Sequence, residues 1–245
     1  TYKPTHQIAS YMRIKTLLAF AALSSLFAAV PANAATYTFD GDNLGGNKTV
    51  GDHTNITTTY NTSTDLFTWS STFTDNGNGP LAEGAWLVIS DGENPKKNAD
   101  EYAIFYLDGT QNTVSIYNYN GANSANSYQS ETFLASTTLD VTNSGNSRTF
   151  EFSFDATDLN DDIHGLFGSE WKGITFDESI GIWFHGAGNL STSYDTDGSL
   201  LTFSPTATGW YDTKNKTTTA VPEPASLVAI GLFAVGAATK LRKRN

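Results

Sequence analysis

The chain has no cysteine, so any chemistry it performs must come from carboxylates, histidines, hydroxyls or aromatic faces. Thiol catalysis, thiolate zinc sites and disulfide frameworks are excluded together. Asp195-Thr196-Asp197-Gly198 has a D-x-D-G spacing in which alternate carboxylates, Asp195 and Asp197, can face one hard cation while the glycine permits the bend. Oxygen ligands of that kind suit calcium. The further acids of a full EF-hand loop are missing, and Asp-Gly before Ser199-Leu200-Leu201 also reads as an ordinary hairpin turn. Calcium at Asp195 and Asp197 is therefore the one cofactor to be tested, and none other is expected.

Hydrolytic signatures are thin. A sandwich glycosidase places two carboxylates on one strand face, often as E-x-D-x-x-E, and that spacing is absent. Asp177 and Glu178 are adjacent, so a strand would point them to opposite faces. No G-x-S-x-G elbow occurs, and His53, His164 and His185 show neither H-x-H nor H-E-x-x-H spacing. His185 follows the run Ile182-Trp183-Phe184 and precedes Gly186-Ala187-Gly188, which predicts a strand-end histidine bonded to a loop carbonyl. Glycan binding would use aromatic faces in polar company, for which Trp171, Trp210, Tyr117, Tyr119 and Tyr128 are the candidates. Core packing competes for the same side chains. Ice binding would want regularly spaced threonines, and the clusters Thr57-Thr58-Thr59 and Thr217-Thr218-Thr219 lack that regularity.

The elements that must position these residues are strands. Phe67-Thr68-Trp69-Ser70-Ser71-Thr72-Phe73 and Thr149-Phe150-Glu151-Phe152-Ser153-Phe154 alternate with period two, which puts their aromatics on one face. Shorter β-branched and aromatic runs at 85–89, 102–107, 114–119, 180–184 and 200–203 are bounded by Asp-Gly and Asn-Gly turn signals. Tyr117 and Tyr119 share the face opposite Val114 and Ile116, so the two tyrosines are expected to point outward. About ten such strands, with one short helix over Asp158–Phe167, predict an all-β fold: a two-sheet antiparallel β-sandwich of jelly-roll type over 35–211. A polar linker follows at 212–220.

The 245 residues include 25 acids and 14 bases, but Glu223 and seven of the bases lie in the two ends, which leaves −17 on residues 35–219. That charge argues against nucleic acid and against anionic membranes as partners.

The ends read as addresses. The only methionine, Met12, is the expected working start of a signal peptide region spanning 1–34. Met12-Arg13-Ile14-Lys15 is a basic n-region, Leu17–Val30 is apolar, and Ala32 and Ala34 form the A-x-A pattern cut by signal peptidase before Ala35. At the other end, Pro222-Glu223-Pro224 precedes an apolar stretch read as a membrane helix over 225–239, and Lys240, Arg242, Lys243 and Arg244 close the chain with a cytoplasmic basic cluster. In that order, the triplet, the glycine-containing apolar helix and the basic end closely resemble the PEP-CTERM sorting signal, over 221–245. The resemblance implies a Gram-negative host that makes exopolysaccharide. It also implies recognition of Pro222, Glu223 and Pro224 by an exosortase in the inner membrane, then release of the passenger to the cell surface or beyond. The same tail is found on chains catalogued as ice-binding, so that label attaches to the tail and says nothing of the passenger. Tyr102–Leu107, Ile180–His185 and Gly209-Trp210-Tyr211 give a loose similarity to other PEP-CTERM passengers, which implies no activity.

The expectation is thus a non-enzymatic, secreted surface or extracellular-matrix protein, held transiently in the inner membrane by its C-terminal helix and associated with extracellular polysaccharide. The alternative is a secreted sandwich-fold glycan hydrolase.

Overall fold

A computed structural model of the chain describes residues 34–40, 48–91, 99–161, 168–174, 180–212 and 217–220, all within one compact unit, Ala32–Pro224. Among the described residues the twelve strands are β1 (Ala34–Asp40), β2 (Asp52–Asn61), β3 (Leu66–Thr74), β4 (Gly84–Asp91), β5 (Ala103–Asp108), β6 (Thr113–Asn118), β7 (Phe133–Thr138), β8 (Asp140–Ser144), β9 (Ser147–Asp155), β10 (Ile180–Tyr194), β11 (Leu200–Asp212) and β12 (Thr217–Ala220). They form two antiparallel six-stranded sheets, ordered β12-β1-β2-β3-β9-β8 and β11-β10-β4-β5-β6-β7. The expected all-β two-sheet architecture is present. In each sheet a meander is joined by a later strand that returns beside its first member, β12 beside β1 and β10 beside β4, the Greek-key order.

The alternation in β3 and β9 does what its period predicts. Phe67, Trp69 and Phe73 of β3 and Phe150 and Phe152 of β9 are buried, and Phe154 is half-buried. Ser71 shares the buried face and accepts the Trp69 indole N–H at 3.1 Å, which satisfies a donor that would otherwise be stranded there. Facing them from the second sheet are Leu87, Ile89, Phe105, Leu107, Val114, Ile116, Ile182 and Phe184. The sheets meet ring against ring: Phe67 stacks on Phe105 at 5.4 Å, Phe73 on Phe184 at 5.7 Å, and Phe105 lies 5.8 Å from Phe152. Each such side chain contributes about 1.5–3 kcal/mol on leaving water. Gly186 is the close approach in this layer, where a Cβ would come within 2.7 Å of Val50 Cγ2.

Three expectations change. The helix expected over Asp158–Phe167 is a single described turn, α1 (Thr157–Asn160), with 162–167 outside the described residues. The stretch expected as a linker, 212–220, supplies structure: Asp212 closes β11, and Thr217–Ala220 pair with Ala35–Thr38 as β12. β-Branched threonines favour extended backbone, and the open edge of β1 offers unpaired backbone groups. Strand β2 was not anticipated, because its threonine-rich sequence shows little apolar alternation, yet it buries His53, Ile56, Thr58 and Tyr60. Ala34 opens β1, while Ala32, Pro222, Glu223, Pro224, the helix at 225–239 and the basic cluster lie outside the described residues. Among the described residues no helix is long and apolar enough to cross a membrane.

Replacing Phe152 by Ala removes a ring packed against both Phe67 and Phe105. We expect a loss of about 3–5 kcal/mol in chemical denaturation, with the denaturant dependence per unit concentration unchanged.

Candidate functional site

The second sheet is covered on its outer face as well. Every residue from Gly84 to Ser90 and from Ala103 to Asp108 is buried, although only alternate ones face the first sheet. The others, Trp86, Val88, Ile104 and Tyr106, join Tyr117, Tyr119, Tyr128, Leu200 and Phe203 in a second apolar cluster. Two elements make that cover. One is an arm, the distal half of the β10–β11 hairpin (189–206), and the other is a strap, residues 119–132 between β6 and β7.

The arm begins where Asn189 adopts a left-handed backbone, φ +48°. Before it, Trp183 and Ala187 contribute to the outer cluster; beyond it, Leu190 and Tyr194 do, so the strand changes face at the bend. Glu83 holds the bend by accepting the Leu190 N–H at 2.7 Å. The arm then crosses its own sheet: the Leu200 N–H donates to the Tyr117 hydroxyl at 2.5 Å and Ser115 Oγ donates to the Gly198 carbonyl at 3.2 Å. Gly198 sits at φ +88°, and a Cβ there would come within 2.8 Å of Ser136 Oγ on β7.

Asp108 pins the arm from below. It is fully buried and the only carboxylate so placed among the described residues. Thr192 Oγ1 and the Tyr194 hydroxyl donate to its Oδ2 at 2.5 and 2.8 Å. Its Oδ1 accepts from Thr110 N and Oγ1 and from Gln111 N, at 2.8, 2.7 and 3.2 Å. Five protein donors replace the water it lost. Burial, then the hydrogen bond to Asp108, raises the Tyr194 pKa, which keeps that hydroxyl a donor at any ordinary pH. The strap is stitched the same way. Tyr106 donates to the Ser124 carbonyl at 2.8 Å, Tyr128 to the Leu201 carbonyl at 3.3 Å, and Phe203 N–H to the Tyr128 hydroxyl at 3.2 Å. Burial pushes the Tyr117 hydroxyl up to about 12 and raises that of Tyr106 as well.

Arm and strap leave one part of the outer face open. In register across three strands, Trp86, His185 and Trp210 occupy one row on one face, with Trp183 two residues from His185 on that same face. Trp210 is 45% exposed, His185 and Trp183 are half-buried, and Trp86 is buried beneath. The His185 imidazole stacks on the Trp86 indole at 4.8 Å and 4° between planes, and lies 6.2 Å from Trp183. Asn123 of the strap closes the inner end by donating to the Trp183 carbonyl at 2.8 Å. Trp86 Nε1, His185 Nε2 and Asn123 Oδ1 are buried there with no hydrogen-bond partner. Burial lowers the His185 pKa to about 4, so the ring is neutral near pH 7. Chemically the three rings form an uncharged aromatic platform, with unpaired donors and acceptors beside it. Among the described residues it carries no nucleophile and no carboxylate pair.

Of the five aromatic candidates, only Trp210 stays exposed. Tyr117, Tyr119 and Tyr128 do lie outside the inter-sheet core, but arm and strap bury them. Trp171 packs on the core and donates its indole N–H to the Leu159 carbonyl at 2.8 Å. His185 is not at a strand end and does not bond a loop carbonyl, since β10 runs on to Tyr194 and the ring is stacked. His53 is buried among Phe73, Phe184 and Tyr211, with both ring nitrogens unpartnered. Asp195 and Asp197 sit in the hairpin that ends the arm: Asp195 Oδ1 accepts Thr196 N–H at 2.7 Å and Asp197 Oδ1 accepts Ser199 N–H at 2.9 Å. Hydrogen bonds from Ser199 lower the Asp197 pKa. That is the geometry of a turn, and among the described residues no group of three or more His, Asp or Glu side chains could hold a metal. His164, Asp177 and Glu178 lie outside the described residues. Sequence reasoning missed Trp86 and Trp183 as members of a site; their alternation with core residues along β4 and β10 was the available signal.

Two predictions follow from these environments. Burial holds His53 near a pKa of about 3, against 6.5 when solvated, so the unfolded chain binds the extra proton and stability falls as pH drops from 6.5 toward 3. The His53 part of that fall is at most about 1.4 kcal/mol per pH unit. The groups around the ring are Phe73, Phe184 and Tyr211, none of them charged near neutral pH, so His53→Phe should flatten the decline in denaturation midpoints measured between pH 7 and 4. At the turn, calcium held by Asp195 and Asp197 should raise the melting temperature over that with chelator, at matched ionic strength, and the rise should be lost in Asp197→Asn; coincident melting temperatures for the parent would leave the two carboxylates as turn residues. No protein family, curated protein or solved structure matches this chain.

Proposed function

We propose that this chain is an exported, non-enzymatic surface or extracellular-matrix protein, sorted by an exosortase and displaying a β-sandwich of jelly-roll type to extracellular polysaccharide. The observation that carries the reading is the order of features at the C-terminus: Pro222-Glu223-Pro224, an apolar stretch over 225–239, then Lys240, Arg242, Lys243 and Arg244. Each feature has a physical task. The prolines hold the backbone extended and deny it a helix or sheet ladder, which suits the cleft of a processing enzyme. The apolar stretch holds the chain at the inner membrane, and the basic cluster keeps its end cytoplasmic. Ala32 and Ala34 supply the earlier cut by signal peptidase.

The fold supports a binding or structural role over hydrolysis. Among the described residues the one deeply buried carboxylate, Asp108, has both oxygens filled by protein donors, so it is a fastening and not a general acid or base. The rings left on the uncovered part of the outer face, Trp183, His185 and Trp210, are uncharged near pH 7.

In a host with the matching exosortase, the parent should lose its basic tail and leave the inner membrane. Glu223→Ala should accumulate as a larger, membrane-held form on fractionation and immunoblotting. Release of that variant as efficiently as the parent would remove the sorting reading.

A further inference from the structure

We infer that the shelf of Trp183, His185 and Trp210 on the outer face of the second sheet is a binding site for an uncharged polysaccharide chain. The inference deepens the proposed display at the cell surface and rests on that reading for the encounter with polysaccharide, though not for the site itself.

Three observations point to this ligand chemistry. The first is the exposure of Trp210. The remainder of the outer face spends an arm and a strap on burying its aromatics, yet this indole is 45% exposed beside two half-buried rings. A flat aromatic surface left to water is where the C–H face of a sugar ring stacks, with the ring hydroxyls still free at its edge. Trp210 and Trp183 are diagonal neighbours about His185, roughly 7–8 Å apart at the backbone, so a chain of linked sugar rings can cross both.

The second observation is charge. The same-face register positions around His185 are Gly84, Trp86, Val88, Trp183, Ala187, Thr208, Trp210 and Asp212. The sole formal charge among them is the anion Asp212, and residues 35–219 carry −17. A polyanion or an anionic lipid surface would be repelled, whereas a neutral chain meets no penalty. The third is the inner end of the shelf. Trp86 Nε1 is a donor without an acceptor, Asn123 Oδ1 an acceptor without a donor, and His185 Nε2 is also unpaired. Trp86 and Asn123 are 4% and 8% exposed. A hydroxyl both donates and accepts, so it can satisfy groups of either kind. The Asn123 amide donates to the Trp183 carbonyl, which holds this side chain beside the shelf.

The test titrates the purified full chain with neutral hexasaccharides of β-1,4-glucose, β-1,4-xylose and α-1,4-glucose, and with polygalacturonate as the acidic comparison, by calorimetry and tryptophan fluorescence. At least one neutral series should bind. Trp210→Ala should weaken binding at least tenfold while keeping the parent circular dichroism spectrum, and Leu201→Ala, an exposed apolar residue of the arm, should bind like the parent. Absence of binding to all three neutral series, binding of polygalacturonate alone, or unchanged affinity in Trp210→Ala would each overturn the assignment. So would a concentration-dependent dimer that Trp210→Ala disperses, since the shelf would then be covered by a second copy. If glycan binding fails while Glu223→Ala remains membrane-held, the shelf is wrong and the sorting reading stands. If the shelf binds while Glu223→Ala is released normally, the site stands without its proposed setting.

Discussion

Strands β4 and β5 are buried on both faces, and the outer architecture of the second sheet follows from having to keep both from water. One face meets the aromatic layer of the first sheet, which ordinary sandwich packing provides. The other carries Trp86, Val88, Ile104 and Tyr106, too large an apolar surface to leave exposed on a soluble domain. The chain covers it with its own arm and strap. The strap is irregular in backbone and the arm turns hydroxyls and backbone groups toward the sheet, so both bring polar groups into the covered zone, where tyrosine hydroxyls and the Asp108 carboxylate receive or supply the hydrogen bonds those groups need.

That solution explains how a carboxylate can be fully buried here. A carboxylate in a low-dielectric interior is tolerated when donors surround it, and Asp108 has five, three from the adjoining Thr110 and Gln111 and two from the distant Thr192 and Tyr194. The same economy is not applied to His53. It is placed in the inter-sheet layer with no hydrogen bond, and the sandwich accepts an imidazole there only in its neutral form. Burial of Asp108 thus fastens an element, and burial of His53 couples stability to acidity.

Where the cover stops, the shelf of Trp183, His185 and Trp210 begins. Its neutral aromatic character, in a strongly acidic chain, suits a protein whose proposed setting is polysaccharide outside the cell. Fold and tail bear on separate parts of that proposal: the tail concerns delivery, and the shelf concerns what is met on arrival.

The sequence by itself determined the sheet class and the composition of the inter-sheet core. Alternation at Phe67–Phe73 and Phe150–Phe154 is local, has period two, and was realised as buried faces of β3 and β9. It also identified Asp195-Thr196-Asp197-Gly198 as a turn candidate, because turn chemistry is written in adjacent residues. It did not reveal that Tyr117 and Tyr128 would be covered or that Trp210 would not be. Those outcomes depend on the left-handed bend at Asn189 and on Asp108 holding Thr192 and Tyr194 more than eighty positions away. Nor could it place Trp86, His185 and Trp210 in one row, since their register is set by strand pairing across β4, β10 and β11. Periodicity tells which side chains share a face of a strand. Which faces are then buried is decided by long-range contacts, and the exposure of an aromatic, on which binding depends, is a property of the assembled surface alone.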